Sequence, residues 1–123
     1  MTDTIATEET HRMIASDKVE GTAVYNPQGE KLGSIDNFML EKRAGKAQYA
    51  VMEFGGFLGL GSDHYPIPWE MLTYDIDKGG YVVNVDKEQL ENAPRYDAAD
   101  IPEYSDAYGR TVYGYYGLSY PAL

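Results

Sequence analysis

The chain has 123 residues, with ten Lys and Arg against 20 Asp and Glu, a formal net charge of -10 and a sequence pI near 4.4. A chain of that length supports one hydrophobic core and leaves no room for a second. With no cysteine present, disulfides, zinc–thiolate sites, iron–sulfur clusters and a cysteine nucleophile are all excluded.

The acidic excess is spread along the chain: six acids to two bases in residues 1–30, ten to six in residues 31–93 and four to two in residues 94–123. A nucleic-acid or anionic-lipid surface needs clustered Lys and Arg to displace counterions, and no such cluster occurs. Direct nucleic-acid binding is therefore not expected, and a basic protein partner is. No apolar run approaches the ~20 residues that span a bilayer, and the polar start lacks the pattern of a signal peptide. These features point to a cytoplasmic protein.

Residues 1–12, MTDTIATEETHR, show no sustained apolar period and read as a mobile leader, because too little surface could be buried there to offset ordering. From Val19 onward short apolar runs alternate with turn residues at Asn26–Gly29, Arg43–Gly45 and Asp77–Gly80. Proline fixes φ or glycine tolerates a positive φ at each reversal. Six strands follow: Glu20–Tyr25, Lys31–Lys42, Lys46–Phe54, His64–Ile67, Leu72–Ile76 and Tyr81–Val85.

In the second strand, Leu32, Ile35 and Phe38 repeat at an offset of three, which breaks the period of two and predicts a bulge near Asp36 or Asn37. In the fourth, Pro66 and Pro68 remove two amides on one side, which predicts an edge or a corner. Pro68–Leu72 then suits a single helical turn. Trp69, the only tryptophan, is expected to plug the core beneath that corner instead of serving as a stacking platform.

Asp86 stands three residues before Gln89, and Pro94 closes the segment, so Lys87–Ala93 reads as a short capped helix. Beyond it, Asp100 and Glu103 make a second capping pattern, with Tyr104, Tyr108, Val112 and Tyr115 at helical offsets. Seven of the 12 tyrosines lie from Tyr96 onward, so the tail carries most of the amphipathic aromatic area. The resulting expectation is a leader over 1–12, a β domain over 13–94, and a Tyr-rich, partly helical tail over 95–123 that packs on its own sheet or on a neighbouring chain.

Several patterns resemble functional motifs and fail on context. Gly55–Gly61 lacks the Gly-Lys-Ser/Thr ending and the following helix of a phosphate loop, and Asp63 would repel a phosphate. Its Phe57, Leu58 and Leu60 would be costly in water, so this loop is expected to fold over the sheet or contact another chain. Asp75–Asp86 partly mimics a calcium loop, but Gly79 offers no side-chain oxygen and the β-branched run after Tyr81 favours a hairpin. Only His11 and His64 are available as imidazoles. His64 reads as a strand-end surface residue that its neighbour Asp63 cannot orient, since adjacent strand residues face opposite ways. Asp36 and Glu53 could form an acid pair, though spacing gives that choice no support.

One resemblance covers most of the chain. Val19-Glu20-Gly21, Asn26–Gly29, Leu32-Gly33-Ser34-Ile35, Gly45-Lys46 with Tyr49-Ala50-Val51, Gly55–Gly61 and Tyr65-Pro66-Ile67-Pro68-Trp69-Glu70-Met71-Leu72 follow one another as in the PRC-barrel domains. The resemblance runs from about Ile14 to Ala93. It implies a mainly β fold, a small closed six-stranded antiparallel barrel, with Gly33, Pro68, Trp69 and Leu72 as structural signature. Such domains occur in the photosynthetic reaction-centre H subunit, in a ribosome maturation factor and as stand-alone proteins, and their shared role is protein docking without a catalytic motif.

The resemblance therefore implies a stand-alone adaptor, not an enzyme, with no cofactor and no metal. It would bind a protein partner, with Phe57, Leu58, Leu60, Tyr104, Tyr108, Tyr113, Tyr115 and Tyr116 as the expected contacts and homo-oligomerisation expected. The competing expectations are a small-ligand or ion-binding protein, and an accessory factor in photosynthetic or ribosomal assembly.

Overall fold

The computed structural model describes residues 13–54 and 63–121. The leader, the Phe57–Leu60 stretch and the last two residues lie outside the described residues. Among the described residues, seven strands form one sheet: β1 (Ala23–Tyr25), β2 (Lys31–Glu41), β3 (Lys46–Phe54), β4 (Asp63–Pro68), β5 (Leu72–Asp75), β6 (Gly80–Val83) and β7 (Tyr96–Asp97). Among the same residues, three helices accompany them: α1 (Ser16–Val19), α2 (Lys87–Glu91) and α3 (Asp106–Tyr115), with a 3-10 turn at Trp69–Met71. The hydrogen-bonded order is β5-β6-β1-β2-β3-β4-β7.

This order corrects the expected closed six-stranded antiparallel barrel. Among the described residues the sheet has seven strands, is mixed because β1 and β6 run parallel, and ends at β5 and β7 without closing. The prolines supply a physical reason. β7 pairs only with Asp63 and His64 of β4, and beyond them Pro66 and Pro68 have no amide to donate, so no full-length strand can extend the ladder there. The chain instead turns through Trp69–Met71 into β5, which pairs antiparallel with β6 through Leu72↔Val83.

The predicted bulge is present. Opposite β3 the register runs Ile35↔Met52 and then Asn37↔Val51, so Asp36 has no partner of its own. A second shift lies between Met39 and Leu40. The Asp75–Gly80 reversal is a hairpin, as the β-branched run after it indicated. The Asp75 carboxylate accepts hydrogen bonds from the backbone N–H groups of Asp77 and Lys78, at 2.9 and 3.2 Å.

β3 is covered on both faces, since successive strand residues point in opposite directions. Ala50 and Met52 enter the main core with Val24, Ile35, Ile67, Val83 and Leu90. Tyr49 joins a second cluster with Val112 and Tyr113 of α3. Leu90, from α2, is fully buried against the sheet, and Asp86 caps that helix by accepting from the Gln89 N–H at 2.7 Å. Each such buried aliphatic side chain contributes about 1.5–3 kcal/mol relative to exposure.

The tail helix begins later than its acidic residues suggested. Ser105 is the N-cap and accepts from the Tyr108 N–H at 3.2 Å, while the Asp100 N–H closes a turn onto the Asp97 carbonyl at 2.8 Å. Serine at this position satisfies an orphan helix amide as well as aspartate does.

Two glycines test this packing. A Cβ on Gly33 would stand 2.0 Å from the Glu53 carbonyl oxygen and 3.2 Å from Met52 Cγ, a clash with backbone that forces β2 from β3. Gly33→Ala is expected to lower stability by at least about 1–3 kcal/mol. Gly114, inside α3, has nothing within 4 Å of such a Cβ, so Gly114→Ala is expected to raise stability by up to about 1 kcal/mol. Urea midpoints of the two variants against the parent check both signs.

Candidate functional site

Three adjacent strands bring two acids and a histidine together. Glu53 and His64 are direct cross-strand partners on β3 and β4, and Ser34 is the β2 residue opposite Glu53. Asp36, two residues beyond Ser34, falls on the same face of the sheet as Ser34, Glu53 and His64, and it is the residue that the bulge leaves without a partner of its own on β3. His64 Nε2 lies 3.5 Å from Asp36 Oδ2 and 3.5 Å from Glu53 Oε2.

His64 is not the surface histidine the sequence suggested. It is only 7% exposed, because Tyr96 of β7 stacks on its ring at 5.8 Å between centroids and 13° between planes. Its Nδ1 is buried with no hydrogen-bond partner among the described residues. Asp63, its sequence neighbour, indeed does not orient it and instead faces Arg95 at 3.3 Å. Asp36 and Glu53, for which sequence spacing gave no support as a pair, meet at His64 through the pairing of β2, β3 and β4.

Tyr96 connects this cluster to a run of tyrosines under the tail. Its hydroxyl and that of Tyr104 are 2.6 Å apart. Edge-to-face contacts then link Tyr104 to Tyr49 and Tyr108, and Tyr49 to Tyr113 and onward to Tyr120. The Tyr113 hydroxyl donates to the Gln48 carbonyl at 3.2 Å, and the Tyr115 hydroxyl donates to the Gln89 carbonyl. The hydroxyls of Tyr108 and Tyr116 are buried with no hydrogen-bond partner among the described residues. Tyr104, Tyr108, Tyr115 and Tyr116 are half-buried and Tyr113 is buried, with Tyr115 against the main core, Tyr104, Tyr108 and Tyr113 in the second cluster, and Tyr116 touching both. Gly109 makes room for the Tyr120 ring, since a Cβ there would stand 2.1 Å from a ring carbon.

Of the signature positions, Gly33 lies tight against β3, Pro68 is fully buried at the end of β4, and Leu72 opens β5. Trp69 departs from the expected plug. It packs on Phe38 and Tyr81, with centroids at 5.9 and 5.8 Å, yet it is only partly buried and lines an open groove. That groove, about 400 Å³, is bordered by Glu41, Lys46, Gln48, Trp69, Glu70 and Tyr113. Sequence reasoning named neither the groove nor Gln48. The strand-end position of Trp69, flanked by Pro68 and Glu70, was the signal available for it.

Burial governs the electrostatics of the tyrosine cluster. Loss of hydration raises the Tyr49 phenol above its usual value, with nearby Tyr120 and Tyr113 adding to the effect. Burial raises Tyr104 too, reinforced by its hydrogen bond to Tyr96. Burial pushes Tyr108 up to about 12. Because the folded values exceed the ordinary value near ~10, the folded state keeps protons that the unfolded chain releases. The stability this contributes is complete below pH ~10 and is lost as pH climbs through the folded values. The expected result is a melting temperature that falls steeply above pH ~10, with tyrosinate absorbance of the cluster appearing together with loss of helical circular dichroism. Absorbance that titrates fully while the fold persists would contradict it.

Comparison with known proteins follows the architecture. The family model for the PRC-barrel domain matches residues 11–90. Among solved structures, the chain is similar to one described as a 16S ribosomal RNA processing protein, RimM, from Pseudomonas aeruginosa, at 20% identity and a TM-score of 0.40. That similarity covers 60% of this chain and 44% of the other, so the chain spans less than half of that structure. No curated protein matches the chain significantly. The family match extends across β1 to β6, including the bulge, the buried prolines and Trp69, and on that ground the chain belongs to the PRC-barrel domain family.

Proposed function

We propose that this chain is a non-catalytic, cytoplasmic docking module that binds another protein through the groove beside Trp69. The observation that carries this reading is where the apolar surface goes. Ile35, Met52, Ile67 and Leu90 are each fully buried, so the inner face of the sheet is filled by its own side chains. Binding then belongs on the outer surface, where the groove offers the flank of an indole and a tyrosine ring beside polar residues. Aromatic anchors in a partly dry pocket are the residues that dominate protein recognition.

Charge selects the class of partner. Glu41 and Glu70 border the groove beside Lys46, in a chain of net charge -10, which favours a basic segment carrying an aliphatic or aromatic anchor. A second copy of this chain would bring an equally acidic surface, so oligomerisation, also expected from the sequence, would have to bury the aromatic flank without opposing the carboxylates. No helix among the described residues is long and apolar enough to cross a membrane, consistent with a partner met in solution.

A photo-crosslinking amino acid placed at Gln48, in the groove, and separately at Lys78, in the β5–β6 turn, tests the reading in cells of the source. A defined adduct from position 48 that is absent from position 78, and that Glu70→Lys abolishes while the melting temperature is unchanged, is the expected outcome. Equal adducts from both positions, or none from position 48, would overturn the groove as the docking surface. An adduct containing only this chain would replace the hetero-partner with a homo-oligomer.

A further inference from the structure

We propose that Asp36, Glu53 and His64 form a binding site for one divalent transition-metal ion of the zinc class. The donors are two carboxylate oxygens and an imidazole Nε2, and all three lie within 4.8 Å of one another. The proposal is independent of the docking reading, since the groove is lined by other residues.

Distance argues for an ion between these groups. At 3.5 Å, Nε2 is beyond the ~2.7–3.2 Å of an N–H···O hydrogen bond to either carboxylate. A metal with bonds of about 2.0–2.2 Å and near-tetrahedral angles sets neighbouring donors about 3.4 Å apart. The two histidine–carboxylate separations already meet that spacing. The carboxylates are 40% and 41% exposed, so χ rotations of their side chains can bring them together without moving a strand.

A second observation concerns the histidine. Its side chain is 9% exposed, one ring face is held against Tyr96, Nδ1 has no hydrogen-bond partner among the described residues, and Nε2 faces both carboxylates at 3.5 Å. Coordination at Nε2 would give the buried ring a strong partner and explains why it is aimed into the space between two carboxylates. The backbone also supports a built site: Glu53 and His64 are fixed as a cross-strand pair, and Asp36, two residues beyond the Ser34 that pairs with Glu53, stands on the same face as the third ligand.

The donor set selects the ion. One imidazole with two carboxylates suits Zn²⁺ and neighbouring first-row ions, whereas Ca²⁺ and Mg²⁺ prefer all-oxygen shells. Three protein ligands with both carboxylates partly exposed leave coordination positions for water. Nδ1 lacks the acceptor that usually steadies a ligating histidine, an omission that costs about 10–100-fold in affinity. Binding in the micromolar range is therefore expected.

Isothermal titration of the untagged full chain with Zn²⁺, and separately with Ca²⁺, tests the site. One Zn²⁺ per chain, no Ca²⁺ binding, and a loss of about tenfold or more in both Asp36→Asn and Glu53→Gln are expected. These near-isosteric variants at partly exposed positions preserve folding, as circular dichroism would verify, while Asp75→Asn serves as an acidic control that leaves affinity unchanged. In the cobalt-substituted protein, visible absorption of a nitrogen–oxygen site should vanish in the same two variants. Absence of Zn²⁺ binding, or binding indifferent to both substitutions, would overturn the proposal and leave the cluster an ion pair only.

Discussion

Most of this structure depends on β3 being covered on both of its faces. A strand with one wet face alternates polar and apolar residues, but Tyr49, Ala50, Val51 and Met52 are buried in succession. β2 and β4 satisfy its backbone along nearly its full length. The inner residues hold the main core, and the outer ones require a cover, which α3 and the tyrosines provide. The tail is thus a second layer of the domain, joined to the sheet by ring packing and by the Tyr113 hydroxyl on Gln48.

Much of the sheet was legible because its irregularities are written in residue chemistry. The offset of three from Leu32 to Ile35 to Phe38 located the bulge now seen at Asp36. Pro66 and Pro68 announced a limit to the ladder, and Asp86 with Gln89 marked the start of α2. What could not be read were pairings between distant segments. Nothing in the period of Ala23–Tyr25 or Gly80–Val83 shows that these strands lie side by side and parallel. β7 has two residues, too few to carry a period at all. Closure was expected from family likeness, and the open order shows that likeness in sequence does not determine the hydrogen bonding at a sheet's last edge.

The functional residues divide the same way. His64 was visible as one of two histidines, yet its burial depends on Tyr96, 32 positions further along and brought over by β7. Asp36 and Glu53 were visible as acids among twenty, and only the strand pairing that sets both beside His64 distinguishes them from the rest. The tyrosines were visible as a group, while their direction of packing was not, because an amphipathic ring serves equally well against its own sheet or a neighbour's. Trp69 shows the same ambiguity within one side chain, one part of it packed on Phe38 and Tyr81 and another part left to the groove.

The missing amides of Pro66 and Pro68 have a colloidal consequence. A foreign strand docking beside β4 would find acceptors but no matching row of donors, and the two residues that could pair are already taken by Tyr96 and Asp97. Amyloid-like stacking from that border is thereby denied a template. Of the two strands that end the described sheet, β7 offers only two residues, and β5 is a four-residue border beside the Asp75 and Asp77 carboxylates, a short and negatively charged seed for such growth.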